Sequence, residues 1–232
     1  MALFNGAIIA AAIAATGAAQ SQERVSIELV LAVDTSISVS ASEYHLQMSG
    51  IAKAFRSPEI VDIILDQPDG VAVTLVHWSV GSLNHQAVDW RHLRDYADIL
   101  EFSRLVDLAP RAKTGRGTSI AYAIDYATRL IETNKFAGTA RKIDISGDSR
   151  SNSGPSPVFA RDRAVALGIT INGLVIPDGD RELPNYYRYL VTGGEDSFVM
   201  TASRNQDFAA AMQRKLSREL NLMLSQNQNL TE

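Results

Sequence analysis

Three short segments of this chain concentrate side chains that offer oxygen. Asp34-Thr35-Ser36-Ile37-Ser38 follows an apolar run, Gly115-Arg116-Gly117-Thr118-Ser119 opens a segment of helical period, and Gly147-Asp148-Ser149 follows a second apolar run. None of the three contains His, and the chain has no Cys. Thiolate metal sites, disulfides and cysteine nucleophiles are therefore excluded. Carboxylates and hydroxyls without soft ligands suit hard divalent cations, and Mg²⁺ in particular accepts a few carboxylates and keeps several waters. Asp34, Ser36, Ser38, Thr118 and Asp148 form the candidate ligand set for one divalent cation, Mg²⁺ first, with Mn²⁺ or Ca²⁺ as alternatives. Alternation along the first segment points Ser36 and Ser38 the same way and turns Ile37 inward, while Thr118 at a helix start presents its oxygen from the other side. Each piece alone has a plainer reading, as a polar strand-to-helix loop, an N-cap or a turn residue. Their joint placement at strand ends and a helix start favours the metal.

An enzyme reading of the same residues fails. Gly147-Asp148-Ser149 resembles the nucleophile segment of Gly-Asp-Ser hydrolases, but those need a histidine base well downstream and none follows His92. Gly-x-Ser-x-Gly is missing too. Aspartyl phosphotransfer after the first strand wants a second aspartate two residues on, where Ser36 stands, and no glycine-rich phosphate loop follows that strand. No catalytic residue is assigned and no enzymatic activity is expected. His45, His77, His85 and His92 show no metal-ligand spacing and read as structural or surface residues.

The elements that must position these segments alternate between short β-branched runs and longer stretches of helical period, the pattern of an α/β fold with a mainly parallel sheet. Val25 to Val33 reads as a central strand buried on both faces. Ser40-Ala41-Ser42-Glu43 reads as a capping box, and Tyr44, Met48, Ile51 and Phe55 follow at helical spacing, giving a helix that ends near Ser57-Pro58. Val71 to Trp78 is a second strand, and Gln86 to Trp90 a third, joined through Gly81-Ser82 as an antiparallel edge partner. Helices are expected over 92–106 and from Thr118, the latter burying Ile120, Ile124, Ala127 and Ile131. Lys142 to Ser146 is a fourth strand, Pro157 to Leu167 a helix, Ile169 to Ile176 a fifth strand, and Tyr186 to Val191 a short helix. Ser197 to Met200 is a last strand and Gln206 to Leu224 an amphipathic helix whose Met and Leu residues are core. Tyr186, Tyr187 and Tyr189 cannot all face a core from one short helix, so at least one is exposed. Arg116 and Arg150 flank the candidate site and read as solvated.

Composition adds bounds. The chain has 232 residues, 46% hydrophobic, with 22 basic against 26 acidic side chains and a net charge of -4. That suits one globular domain and advertises neither nucleic acid nor an anionic membrane as partner. Residues 1–22 carry no charge and include the apolar run Ala7 to Ala15, too short to span a bilayer. Small residues up to Ala19 suit signal-peptidase cleavage, so 1–19 is expected to be an export signal, the mature product starting near Gln20 without stable membrane insertion. Retention as an anchor is the alternative. The domain is expected over 25–222, with a polar tail over 223–232, in the periplasm or secreted.

The first segment, Asp34-Thr35-Ser36-Ile37-Ser38, resembles the Asp-x-Ser-x-Ser motif of the metal-ion-dependent adhesion site in von Willebrand factor A and integrin inserted domains. Thr118 in Gly-Thr-Ser is similar to that family's metal-binding threonine, and Asp148 to its final aspartate. The family usually reads Asp-Gly there, whereas this chain has Asp148-Ser149 preceded by Gly147, which shifts the glycine. Ile143 to Asp148 and Tyr186-Tyr187-Arg188-Tyr189 look most like an exported bacterial subgroup of unknown function. The resemblance spans about residues 25 to 222. It implies a three-layer, doubly wound, Rossmann-like fold: a mainly parallel six-stranded sheet with one antiparallel edge strand and helices on both faces. It also implies that Ser36, Ser38 and Thr118 bind the metal directly and Asp34 and Asp148 largely through water, with one coordination position open. A protein partner's Asp or Glu carboxylate would complete the shell. The competing reading is a scaffold domain with a vestigial metal site.

Overall fold

Strand β1, Glu23–Asp34, is buried continuously from Val25 to its end, because both of its edges and both of its faces are covered. The computed structural model describes residues 22–81, 83–202 and 207–228, the stretch 222–228 by backbone alone. The expected signal segment 1–19 and Ser82 lie outside the described residues. β2 (Val71–Trp78) and β4 (Phe136–Gly147) flank β1 in parallel, with Leu31 opposite both Leu75 and Asp144. β5 (Ile169–Val175) and the three-residue β6 (Val199–Thr201) continue the parallel set, and β3 (His85–Leu93) runs antiparallel along β2. The order β3-β2-β1-β4-β5-β6 gives a six-stranded sheet whose strand order reverses between β1 and β4. Ligands bind beyond the carboxyl ends of strands at such a reversal.

Helices α1 (Ala41–Phe55), α2 (Pro58–Leu65), α3 (Tyr96–Asp107) and α7 (Phe208–Gln228) cover one face, where Leu29, Leu31, Val33 and Leu75 meet Met48, Ile51, Phe102 and Phe208. Helices α4 (Ile120–Thr133) and α5 (Pro157–Ala166) cover the other, together with the short α6 (Leu183–Tyr186) and a π-helical turn over Tyr187–Val191. Ile120, Ile124, Ala127 and Ile131 are buried there, as their spacing demands. Each such isoleucine contributes roughly 1.5–3 kcal/mol relative to exposure. The doubly wound α/β architecture expected from the sequence is the architecture observed.

Several boundaries differ for identifiable reasons. The capping box forms, with Ser40 N donating to Glu43 Oε2 at 2.7 Å and Glu43 N to Ser40 Oγ at 3.2 Å. Pro58, however, starts α2 as well as following α1, since proline is tolerated in a first helical turn. β3 runs on to Leu93, and α3 begins only after Asp95, whose side chain accepts from Asp98 N at 2.9 Å. β4 starts at Phe136, six residues before the expected Lys142.

One packing feature escaped the sequence reading. Lys215 and Glu219 of α7 are both fully buried. Lys215 Nζ lies 2.7 Å from Asp144 Oδ1 of β4 and 2.7 Å from Glu219 Oε1. Asn172 of β5 donates to the same Glu219 oxygen at 2.8 Å, and Lys142 donates to the Glu219 carbonyl. The last helix is thus pinned to the sheet by charge as well as by Met212, Leu216 and Leu220. Among the described residues no helix is long and apolar enough to cross a membrane.

Candidate metal-binding site at the strand-order reversal

Asp34 ends β1 with no exposure to solvent. Its Oδ1 accepts from Ser36 N at 2.7 Å, an Asx-type turn that lifts the chain out of the sheet. Thr35 N and Oγ1 both donate to Trp78 O, at 2.9 and 3.2 Å, tying the loop to the end of β2. Val39 N then donates to Ser36 O at 3.0 Å, closing a turn over residues 36–39. That turn corrects one expectation: Ile37 does not face inward but is 63% exposed, because a turn replaces strand alternation. Ser36 and Ser38 still point the same way, their hydroxyls 3.0 Å apart. Ser38 Oγ in turn donates to Asp148 Oδ1 at 3.2 Å.

Thr118 sits one residue before the cap of α4. The cap residue is Ser119, without a side-chain capping bond, so the Thr118 hydroxyl is free of that role and lies 3.3 Å from Ser149 Oγ. Thr118 N donates to Asn152 Oδ1 at 2.8 Å, and Asn152 N and Ser153 N return to Thr118 O at 2.9 and 3.2 Å. Ser119 N donates to Ser79 O at 2.8 Å. Gly117, at φ +133, makes the bend that brings this segment across. Hydrogen bonds therefore join Asp34, Ser36, Ser38 and Asp148 directly, and Thr118 reaches them through Ser149, the neighbour of Asp148. Asp34, Ser36 and Thr118 form the buried floor, and Ser38 the exposed edge.

Burial dominates the electrostatics. It pushes the Asp34 carboxyl up to about 7, with the neighbouring Asp148 charge adding to the shift and hydrogen bonds from Ser36 opposing it. Asp148 is raised by burial as well. Neither carboxylate lies within ion-pair distance of a Lys, Arg or His among the described residues, and Asp34 Oδ2 has no hydrogen-bond partner at all. A buried carboxylate left this way is costly unless a cation joins it. Among the described residues no three His, Cys, Asp or Glu side chains cluster as metal ligands, so a cation here depends on the hydroxyls.

Three residues that sequence reasoning did not assign to this site shape it. Arg111 Nη2 donates to the carbonyls of Thr35, Ser36 and Val39 at 3.0, 3.0 and 2.6 Å, clamping the loop that carries Ser36 and Ser38. Asn152 clamps Thr118, as described. Tyr187, in the π-helical turn, is wholly buried and its hydroxyl has no partner among the described residues. Arg111 and Asn152 lie in irregular, polar stretches with no periodicity to mark them. Of the tyrosine segment, Tyr189 is the exposed member at 69%. Arg150 is not simply solvated: it pairs with Asp180 through two bonds of 2.6 and 3.1 Å and lies over Tyr186.

Comparison with solved structures returns the same fold. The chain aligns with proximal thread matrix protein 1 from the mussel byssus, solved with a zinc-occupied metal-ion-dependent adhesion motif, at a TM-score of 0.60 and 17% identity over 84% of this chain and 46% of that one. It aligns with the von Willebrand factor domain of the type V pilus tip protein Mfa5 from Porphyromonas gingivalis at 0.60 and 12% identity, over 85% of this chain and 96% of that one. The pilus adhesin SpaC from Lactobacillus rhamnosus GG aligns at 0.62 and 13% identity, over 85% and 31%. The chain spans about half the length of the mussel protein. A comparison with curated proteins returned no match. The architecture is thus that of von Willebrand factor A domains, and the chain, whose residues 24–224 match the family model, belongs to the protein family of unknown function DUF1194.

Proposed function

We propose that this chain is a divalent-cation-dependent protein-binding domain of the adhesion type. Asp34, Ser36, Ser38, Thr118 and Asp148 would hold one cation, Mg²⁺ or, as alternatives, Mn²⁺ or Ca²⁺. The observation that carries the reading is Asp34 Oδ2, a fully buried carboxylate oxygen without a partner in a cluster of hydroxyls. The donor set fits a hard cation, which takes oxygen ligands and tolerates neutral ones. Two carboxylates balance the charge of a divalent ion but leave it short of ligands on the solvent side, where Ser38 is exposed. An Asp or Glu carboxylate of a protein partner is the natural group to complete the shell. The zinc in the mussel protein's motif is a precedent for a divalent cation in a domain of this fold. The expected export signal and the pilus proteins among the structural neighbours support action outside the cytoplasm.

The test is affinity capture from an exported fraction on the immobilised domain, with and without EDTA, alongside Asp34→Ala. Capture that needs the cation and is lost in the variant supports the reading. Capture that EDTA leaves unchanged refutes it. A domain whose melting ignores Mg²⁺, Mn²⁺ and Ca²⁺ would be a scaffold instead, since a ligand that binds only the folded state raises its stability.

A further inference from the structure

Three local features of the sheet reversal run against ordinary preference, and all three meet at one point. Gly147 occupies the last position of a buried parallel strand, where a β-branched side chain would normally pack. It is not among the glycines with positive φ, so backbone freedom does not explain it. Space does: a Cβ on Gly147 would lie 2.6 Å from Tyr187 Oη, 3.3 Å from Trp78 Cζ2 and 3.4 Å from Asp34 Oδ2. Glycine inside a strand often marks such a close approach. The second feature is Tyr187 itself. It is fully buried with an unpaired hydroxyl, a defect of about 1–3 kcal/mol that phenylalanine would avoid in the same volume. The third is the π-helical turn that delivers it, closed by Thr192 N donating to Tyr187 O at 2.9 Å. Such turns are rare and are frequently found at functional sites.

The two orphaned oxygens, Tyr187 Oη and Asp34 Oδ2, therefore converge on the volume that a Gly147 side chain would fill. A phenol is a donor and an ionised carboxylate accepts only. We propose that Tyr187 is a positioning residue of the metal site: its hydroxyl, admitted by Gly147, donates to Asp34 Oδ2 through one bridging water and holds that carboxylate in its cation-binding orientation. The shifted glycine that separates this chain from the usual Asp-Gly pattern is then the space in which the phenol sits. Outer groups that orient metal ligands commonly change affinity by about 10–100-fold when removed. The inference rests on the proposed metal site.

Titration calorimetry with MgCl₂ and MnCl₂, and melting in EDTA, on wild type, Tyr187→Phe, Gly147→Ala and the double variant test it. Tyr187→Phe is expected to melt in EDTA at or above the wild-type temperature while binding Mg²⁺ about tenfold or more weakly. Gly147→Ala drives the phenol aside, lowering both melting temperature and affinity. In the double variant the clash with Oη is gone, so melting recovers toward that of Tyr187→Phe while affinity stays low. A purely structural tyrosine would change melting and leave affinity alone. Wild-type affinity in Tyr187→Phe overturns this inference and leaves the metal site standing. A wild-type protein that binds neither metal overturns both.

Discussion

Replacing Asp34 by Asn separates the cost of the site from its use. In the metal-free domain the Asp34 carboxyl is pushed up to about 7 from an ordinary 3.8, chiefly because it is buried. Between those values the folded protein holds a proton that the unfolded chain has released, so stability falls as pH rises, by about 1.4 kcal/mol per pH unit. Above about pH 7 the whole penalty is present, on the order of 4 kcal/mol as an upper bound. Asn keeps the shape, leaves an oxygen for Ser36 N, and carries no charge. In EDTA at about pH 8, Asp34→Asn should therefore be more stable than wild type by about 2–4 kcal/mol, a rise of roughly 5–10 °C in melting temperature for a domain of this size. The gap should shrink as pH falls toward about 4 and close below it, where wild-type Asp34 is protonated in both states. Asp148, also raised by burial, adds a pH dependence of the same sign to both proteins. With cation the gap narrows: at about a hundredfold excess over Kd the wild type recovers roughly 2.7 kcal/mol, most of its deficit, and the variant far less. Scanning calorimetry across this pH range, in EDTA and in Mg²⁺, reads all of these quantities. A variant less stable than wild type in EDTA at about pH 8, or one that responds to Mg²⁺ as wild type does, refutes the reasoning.

Other perturbations address the supports of the site and its outer face. Arg111→Ala removes the donor to three loop carbonyls; a loss of about 1–3 kcal/mol in urea unfolding is expected, with weaker Mg²⁺ binding in calorimetry. Arg111→Lys should restore little of either, because an ammonium lacks the planar fork. Lys215→Met strands the buried carboxylates of Asp144 and Glu219, and chemical denaturation should show a loss of about 3–5 kcal/mol, reduced when Asp144→Asn is added. Ile37→Ser, on a side chain already exposed, should change stability by no more than about 0.5 kcal/mol and leave Mg²⁺ affinity intact. Reduced partner capture by this variant, measured by surface plasmon resonance, would place Ile37 in the contact; unchanged capture would remove it.

Much of the fold follows from local pattern. β1 reads as a buried strand because Ile27 to Val33 is almost unbroken apolar sequence, and it is buried throughout. The faces of α1 and α4 follow from helical spacing, and the Ser40–Glu43 box from two residues three apart. Patterns failed where a local rule met a competing one. Ile37 would alternate inward in a strand, but the bond from Ser36 N to Asp34 Oδ1 ends the strand and turns it out. Lys215 and Glu219 look like the polar side of an amphipathic helix, yet they are buried because Asp144 and Asn172 wait for them on the sheet.

By itself the sequence determined which residues are the candidate oxygen ligands and that they stand at strand ends and a helix start, since those positions follow from apolar period and from short-range hydrogen bonds. Only the tertiary structure decided which other groups meet them. Arg111 is 76 residues from Thr35, and Tyr187 and Asp34 approach the same glycine, Gly147, only because β1 and β4 lie side by side where the strand order reverses. Contacts at such separations depend on how the sheet is wound, and no local spacing encodes them. Even the shifted glycine, plain to see in the sequence, acquires its reason only when the tyrosine packed against it is in view.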